Sequence, residues 1–227
     1  ISIGSSIYPN MPFDPVDALS AISVAVTSPL VWVLDPALPL RTMPEFIARV
    51  QAEPGTWRYG LPASGSIPHL VVEDTKIRHK LDMPAVPYRS TPQSLMAVIG
   101  GEVPITLDSL GASSAHIAAG KLRALAVTSR ERSERLPEVP TMLELGLDPR
   151  EWVAWYAFMA PKGTPDEIVQ RLNGAINQAL REEAIAARIR DLGASPRLTT
   201  PAETLSFITA ERADYGAIAR AGKIRVE

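Results

Sequence analysis

Trp57-Arg58-Tyr59-Gly60-Leu61-Pro62-Ala63-Ser64-Gly65-Ser66-Ile67-Pro68-His69-Leu70 reads as three things in succession. A short apolar strand runs into a loop of small residues, and a serine then opens a helix with proline in its first turn, where a missing N–H costs nothing. The same grammar repeats downstream. Apolar runs of strand length lie at Thr56–Gly60, Ala85–Tyr88, Val103–Leu107 and Leu122–Val127. Helical segments separate them: one after Ser66, one from Thr91 to Ile99, and one ending at Gly120. A further helix from Pro44 to Ala52 leads into the first of these strands. Strands alternating with helices of this length predict βαβ units and a parallel sheet.

Outward from this middle unit, Leu30–Leu34 and Trp152–Met159 are further strand-length runs. The C-terminal third carries three amphipathic helices, with apolar stripes through Ile168, Leu172, Ile176 and Leu180, then Ile185 and Ile189, then Leu205, Ile208, Tyr215 and Ile218. Helix starts are marked by a Ser or Thr with Glu or Gln three residues on, at Thr42, Ser90, Thr141, Thr164 and Thr200. Gly120, Gly146, Gly193 and Gly222 follow periodic stretches, as left-handed caps do. The expected domain division is 1–30 with 150–227 as one lobe and 31–149 as the other.

Composition narrows the function classes. The 227 residues are 46% hydrophobic and 21% charged with a formal net charge of −2, a balance that offers no electrostatic footprint for nucleic acid or an anionic membrane. No apolar run reaches the roughly 18 residues that span a bilayer, so direct membrane insertion is not expected. With no cysteine there is no disulfide, thiolate nucleophile or cysteine-ligated metal. The 21 prolines are nearly double the ~5% norm, and most fall at helix starts and turns.

Three strand-to-helix junctions of the middle unit are small and polar: Gly60–His69, Tyr88–Pro92 and Asp108–Gly111. Helix starts present unpaired N–H groups and partial positive charge, so converging ones make a site for a carboxylate or phosphate. Ordinary capping of a tight turn selects the same residues, and spacing alone leaves both readings open. A Ser66–His69–Asp108 hydrolase set is conceivable, but no G-x-S-x-G surrounds any serine. His69 alone reads as a capping or packing residue. His69, His79 and His116 lack metal-ligand spacing, and the dinucleotide and P-loop signatures are absent, so no metal or cofactor is expected. The aromatic cluster Trp152, Trp155, Tyr156 and Phe158 reads as core and interface packing, and Arg130–Arg135 as a solvated loop.

The residues also resemble a known family. Tyr8-Pro9-Asn10-Met11-Pro12-Phe13-Asp14-Pro15 is similar to the Y-x-x-L-P-[YF]-D-P entry of the Bug-type, or TctC-type, solute-binding proteins of tripartite tricarboxylate transporters. Ala63–Leu70, Val86–Arg89, Gly100–Val103, Asp108-Ser109, Ala119–Ser129, Leu136–Thr141, Trp155-Tyr156 and Ala160–Pro165 continue the likeness in order along the chain. The resemblance implies an α/β, two-lobed fold of the type II periplasmic-binding-protein kind that closes on a small carboxylate by hinge motion. It implies ligand contacts at Ser64, Gly65, Ser66 and His69, at Tyr88, Arg89, Ser90 and Thr91, and at Asp108 and Ser109, where an aspartate accepts from a ligand ammonium or hydroxyl. It also implies membrane transporter subunits as partners, a periplasmic location, and neither catalysis nor cofactor.

Two residues depart from the pattern: Ser90 stands where the family commonly has glycine, and Pro104 where it commonly has aspartate. The chain opens at Ile1-Ser2-Ile3-Gly4, with no initiator Met and no signal-peptide core. By this comparison it starts after the family's first strand–loop–helix unit, with on the order of 70 residues expected to be absent and the first lobe incomplete. A shortened receptor acting as a sensory or interaction module is the remaining expectation from a different class.

Overall fold

The computed structural model describes residues 2–7, 13–14, 16–222 and 224. Residues 8–12 and 15 are not among these, so most of the Tyr8–Pro15 entry motif lies outside the described residues. In chain order the elements are α1 (Gly4–Ile7), β1 (Leu19–Leu34), α2 (Met43–Ala52), β2 (Tyr59–Leu61), α3 (Ile67–His79), β3 (Ala85–Pro87), α4 (Thr91–Ile99), β4 (Ile105–Ser109), α5 (Leu110–Ala118), β5 (Arg123–Val127), β6 (Val153–Pro161), α6 (Asp166–Arg181), α7 (Glu183–Asp191), β7 (Ser195–Pro196) and α8 (Pro201–Ala221). They divide into two compact units, Pro29–Ala154 and Ile1–Ser28 with Trp155–Glu227.

In the Pro29–Ala154 unit the strand order is β3-β2-β4-β1-β5. β2 is parallel to both β3 and β4. The Leu30–Leu34 half of β1 is antiparallel to β4 on one side and to β5 on the other. The sheet is therefore mixed, not wholly parallel as the strand–helix alternation predicts. A strand that precedes all the βαβ units enters between two of them. Its side chains are apolar on both faces because both are covered: Leu30 to Leu34 are at most 1% exposed. Val31 and Val33 pack with Leu95 and Val98 of α4, Leu110 of α5, and Leu122 and Val127.

On that same face a chain of polar groups sets the spacing. Thr106 Oγ1 donates to the Gly60 carbonyl at 2.7 Å and lies 2.9 Å from Ser94 Oγ. Three elements, β2, β4 and α4, are thus tied by two buried hydroxyls. Gly60 is what lets α4 approach so closely, since a Cβ there would meet Ser94 Oγ at 2.6 Å. At the other end of the sheet, Arg123 donates to the carbonyls of Pro36, Leu38 and Leu40, holding the turn that follows β1.

The helix-start signals at Thr42, Ser90 and Thr200 mark N-caps, those at Thr141 and Thr164 do not, and one helix-end glycine also departs from its expectation. Thr42 caps α2, and Thr200 with Glu203 forms a reciprocal capping box on α8. Thr141 and Glu144 form the same reciprocal pair, both bonds at 2.9 Å, yet a turn follows and not a helix. Thr141 is bridged to Val127 beside β5 and Gly146 adopts a φ of +67°, so the segment ends before a second turn can form. The cap of α6 is Pro165, one residue beyond Thr164. Gly222 has a φ of −80° and does not make a left-handed cap.

In the second unit β1 pairs with β6 and, through Val26 and Thr27, with β7. Ile22, Ala160 and Val169 form one apolar cluster of its core, with Ile176 beside them. Asn173 of α6 donates to the carbonyls of Ile22 and Thr199 at 2.8 and 2.7 Å, and Thr199 Oγ1 accepts from Val24 N–H at 2.9 Å. The aromatic cluster does not pack as one group. Trp152 is buried in the first unit, but Tyr156 and Phe158 are 64% and 52% exposed on β6. Alternation along the strand turns them away from the core side.

The close approach at Gly60 gives a test. Gly60→Ala forces Ser94 Oγ out of its bond with Thr106 and should cost about 1–3 kcal/mol. Adding Ser94→Ala removes the clashing atom, so in urea unfolding the double variant should be less destabilised than the sum of the singles, by about 1 kcal/mol. Simple additivity would show that the Cβ contact is not what requires glycine.

Candidate functional site

Because β3, β2 and β4 are parallel neighbours, their carboxyl ends lie at one edge of the sheet; β4 runs straight into a helix, and β2 and β3 lead into theirs through short loops. The starts of α3, α4 and α5 therefore gather there. All ten residues expected at the site, Ser64, Gly65, Ser66, His69, Tyr88, Arg89, Ser90, Thr91, Asp108 and Ser109, fall on these three junctions in one unit. They are not equally free to act.

The first junction satisfies itself. Gly65, at a φ of +72°, donates its N–H to His69 Nδ1 at 3.1 Å. Ser66 Oγ donates to the Ala63 carbonyl at 2.7 Å and accepts weakly from His69 N–H at 3.4 Å, capping α3. Burial, partly countered by Glu73, moves the His69 imidazole below its usual range, which keeps Nδ1 a neutral acceptor. Pro68 has no N–H, and the Ile67 amide has no partner among the described residues.

The second junction is more open. Ser90 is the N-cap of α4 but makes no side-chain capping bond, and the amides of Thr91 and Gln93 have no partner among the described residues. Its φ of −161° is extended backbone that any residue adopts, so the departure from glycine costs nothing in conformation. Gln93, the Gln of this helix-start signal, takes the Arg89 N–H on its Oε1 at 3.1 Å and not the Ser90 N–H that a reciprocal cap would give it. Arg89 is exposed. The Tyr88 hydroxyl is engaged with Glu102 at 3.4 Å, and partial burial followed by that carboxylate moves it above its usual range.

The third junction holds a charge. Asp108 is 3% exposed, and its Oδ1 accepts from Ser109 N–H at 2.6 Å and from Thr91 Oγ1 at 3.4 Å. Its Oδ2 is buried with no hydrogen-bond partner. Burial pushes the carboxyl from 3.8 up to about 6, against the opposing pull of its hydrogen bonds. Ser109 caps α5 through backbone alone, leaving the amides of Leu110 and Gly111 without partners among the described residues. Two of the three helix starts therefore keep N–H groups without partners among the described residues.

The same geometry does not assemble a hydrolase. Ser66 Oγ gives its proton to a carbonyl, His69 Nδ1 faces the Gly65 amide, and Asp108 bonds to neither. Among the described residues no three His, Asp or Glu side chains are grouped to hold a metal, and no helix is long and apolar enough to cross a membrane.

The model of the tripartite tricarboxylate transporter family receptor matches residues 3–223. The chain belongs to this receptor family. Protein BugT of Bordetella pertussis is 36% identical over 222 residues, covering 97% of this chain and 68% of BugT. A second relative from B. pertussis, a UPF0065 protein, is 30% identical over 207 residues, covering 91% of this chain and 64% of the relative. The chain thus spans about two thirds of the length of these relatives. Among solved structures, R. palustris Rpa4515 with adipate superposes at a TM-score of 0.87 with 30% identity, covering 98% of this chain and 75% of that one. The periplasmic binding protein BugD has the same fold at a TM-score of 0.84 and 23% identity, covering 100% of this chain and 76% of that one. The fold is that of the two-lobed TctC/Bug binding proteins.

The raised carboxyl of this receptor has a consequence for stability. The unfolded chain releases the Asp108 proton near pH 4, whereas the folded chain keeps it to about pH 6. The folded state binds more protons in that window, so this group's contribution falls as pH rises through it and stays low above it. Asp108→Asn removes the titration. Relative to the parent, the variant should gain up to about 3 kcal/mol in urea unfolding between about pH 4 and about pH 8. A difference that does not change with pH would contradict the buried, unpaired carboxylate.

Proposed function

We propose that this chain captures a small carboxylate, such as a dicarboxylate, tricarboxylate or acidic amino acid, in the periplasm. It then presents the ligand to the membrane subunits of a tripartite tricarboxylate transporter, without chemistry of its own. The observation that carries the reading is the gathering of three helix starts at one sheet edge, with the Ile67, Thr91, Gln93, Leu110 and Gly111 amides uncommitted among the described residues. Unpaired N–H groups and the positive ends of helices favour an anion without a fixed cation.

Family membership supports the same class, and Rpa4515, a structure with adipate, is a related protein in complex with a dicarboxylate. Ser64, Ser66, Ser90, Thr91 and Ser109 supply hydroxyls or amides around these starts, and Arg89 is the exposed cation beside them. Within this set the Gly65 amide is already held by His69, and the Tyr88 hydroxyl by Glu102. Their part is to shape the loops, and the direct contacts fall to the second and third junctions. The commitment of the Ser66 hydroxyl to a carbonyl supports a ligand that is held and released unchanged.

Isothermal titration of the chain with succinate, adipate, citrate, glutamate and benzoate tests this. We expect saturable binding of at least one, with a melting temperature that rises with ligand concentration. Replacing Gly111 by proline deletes one free amide at α5, in a helix position that tolerates proline, and should weaken that binding about tenfold. Absence of heat and of thermal shift for the whole panel would remove the receptor reading.

A further inference from the structure

Gly65 and His69 close the first junction with a bond that only one protonation state of the histidine can make. Gly65 donates its N–H to His69 Nδ1 at 3.1 Å. A ring nitrogen that accepts must be without its proton, so this bond requires the neutral imidazole with its hydrogen on Nε2. Protonation puts a hydrogen on Nδ1 as well, and two donors then face each other across the same gap. Neither residue is sealed away. Both are half-buried, so protons exchange with the ring.

The loop has a second conformation to adopt when the bond is lost. Ser66 N–H donates to the Ala63 carbonyl at 3.3 Å, which closes a turn with Ser64 and Gly65 at its centre. Gly65 has a φ of +72° and Ser64 is not among the positive-φ residues, a combination that makes a type II turn. Types I and II differ by rotation of the central peptide, here the one that joins Ser64 to Gly65 and carries the N–H held by His69. Glycine accepts either sign of φ, so the type I form brings it no strain. The neutral ring therefore selects one of two accessible turns. Ser66 Oγ on the Ala63 carbonyl and Leu70 N–H on the Ser66 carbonyl do not involve the ring, so the start of α3 is kept when the ring lets go.

The surroundings set the pH at which this happens. Burial is the largest influence and moves the ring below its ordinary value, so the bond is made at neutral pH and lost in acid. On α3 itself Glu73 favours the charged ring and Lys76 opposes it. Lys76 Nζ donates to Glu73 at 2.7 Å, and the Tyr59 hydroxyl of β2 donates to the same carboxylate oxygen at 2.9 Å. The loop from Gly60 to Ser66 brings no charged group. On the neighbouring junctions the titratable and charged groups are Tyr88 and Arg89 before α4 and Asp108 at the end of β4.

We propose that His69 and the Ser64–Gly65 peptide form an acid-operated latch on the first loop. The neutral ring holds the Gly65 amide closed, and the protonated ring releases it and adds a positive charge at the start of α3, so that a carboxylate is held more tightly in acid than at neutral pH. This rests on the carboxylate-receptor reading above and adds to it a regulation by pH.

Nuclear magnetic resonance of the ligand-free parent chain reads the latch directly. The Gly65 amide shift and the His69 ring shifts should move together, with one midpoint below about pH 6.5. A Gly65 amide that does not follow the ring overturns the proposal. Calorimetric titration with succinate and adipate at about pH 8 and about pH 5 reads the consequence. His69→Asn supplies the control, because its side-chain oxygen replaces Nδ1 as the acceptor for Gly65 and does not titrate. Protonation of the ligand and of Asp108 affects both chains alike. The acid-to-neutral ratio of affinities in the parent should therefore exceed that of the variant by at least about fivefold. Equal ratios overturn the proposal and leave the receptor reading intact. No binding by any acid of the wider panel at either pH overturns the receptor reading and this regulation together. The resonance measurement needs no variant and decides the latch even if His69→Asn folds poorly.

Discussion

Everything in the Pro29–Ala154 unit hangs on the Leu30–Leu34 half of β1. A strand sealed on both faces must pair its backbone on both edges, because no water reaches an unpaired N–H or C=O there. β4 and β5 meet that demand, and in doing so they fix where β4 ends. The register Val31 to Asp108 and Leu30 to Ser109 places the last two residues of β4 opposite the point where β1 changes partners, next to Pro29. Proline has no N–H to donate, and strands place it where ladder pairing lapses. The end of β4, and with it the third junction of the site, is held in place by the pairing of a strand whose other half belongs to a different sheet ladder.

The second layer of control is the fit between a helix and a strand of different rise. Thr91 and Ser94, one helical turn apart on α4, reach Asp108 and Thr106, two residues apart on β4. The match sets α4 at a fixed height on the sheet, and Gly60 lets it lie close enough for the hydroxyls to meet. The uncapped start of α4 then arrives beside the uncapped start of α5. The proposed anion site is less a set of side chains than a consequence of where two helices are allowed to begin. Polar residues buried in a sheet face are costly unless fully paired, and along Thr106, Ser94 and Asp108 every side-chain polar atom is paired except Asp108 Oδ2.

Much of this was legible in the residues, and the gaps have physical causes. Helix starts could be read because a cap is a local interaction: Thr42 and Thr200 bond within their own first turn. Thr141 makes the same local pair and still yields only a turn, since its backbone is recruited beside β5. The length of β1 was not legible. Ser20-Ala21-Ile22-Ser23-Val24-Ala25-Val26-Thr27-Ser28-Pro29 is small, polar in places and ends in proline, and only pairing with β6 and β7 makes it a strand. Strand order cannot be read either, so the antiparallel insertion of β1 had no signal in a pattern that otherwise spells βαβ. For the site, the three junctions were visible as small polar loops. Which amides remain free was not, because that depends on whether a serine turns its hydroxyl inward, as Ser66 does, or leaves the turn uncapped, as Ser90 and Ser109 do.

The energetics of Asp108 connect stability to the place where two helices begin. A buried carboxylate with one unpaired oxygen lowers the stability of the empty protein at neutral pH, and an apolar or amide side chain would avoid that penalty. The penalty depends on protonation: the neutral carboxyl that burial favours below about pH 6 avoids most of it, and the charged form above that pH bears it in full. The uncapped starts of α4 and α5 follow on from the same part of the fold, since Thr91 opens α4 and bonds to Asp108 while Ser109, the next residue, opens α5. One strand end therefore carries two kinds of unsatisfied polar group, a buried acceptor and the N–H groups of uncapped helices, and neither is present by accident of composition: each follows from where β4 is made to stop.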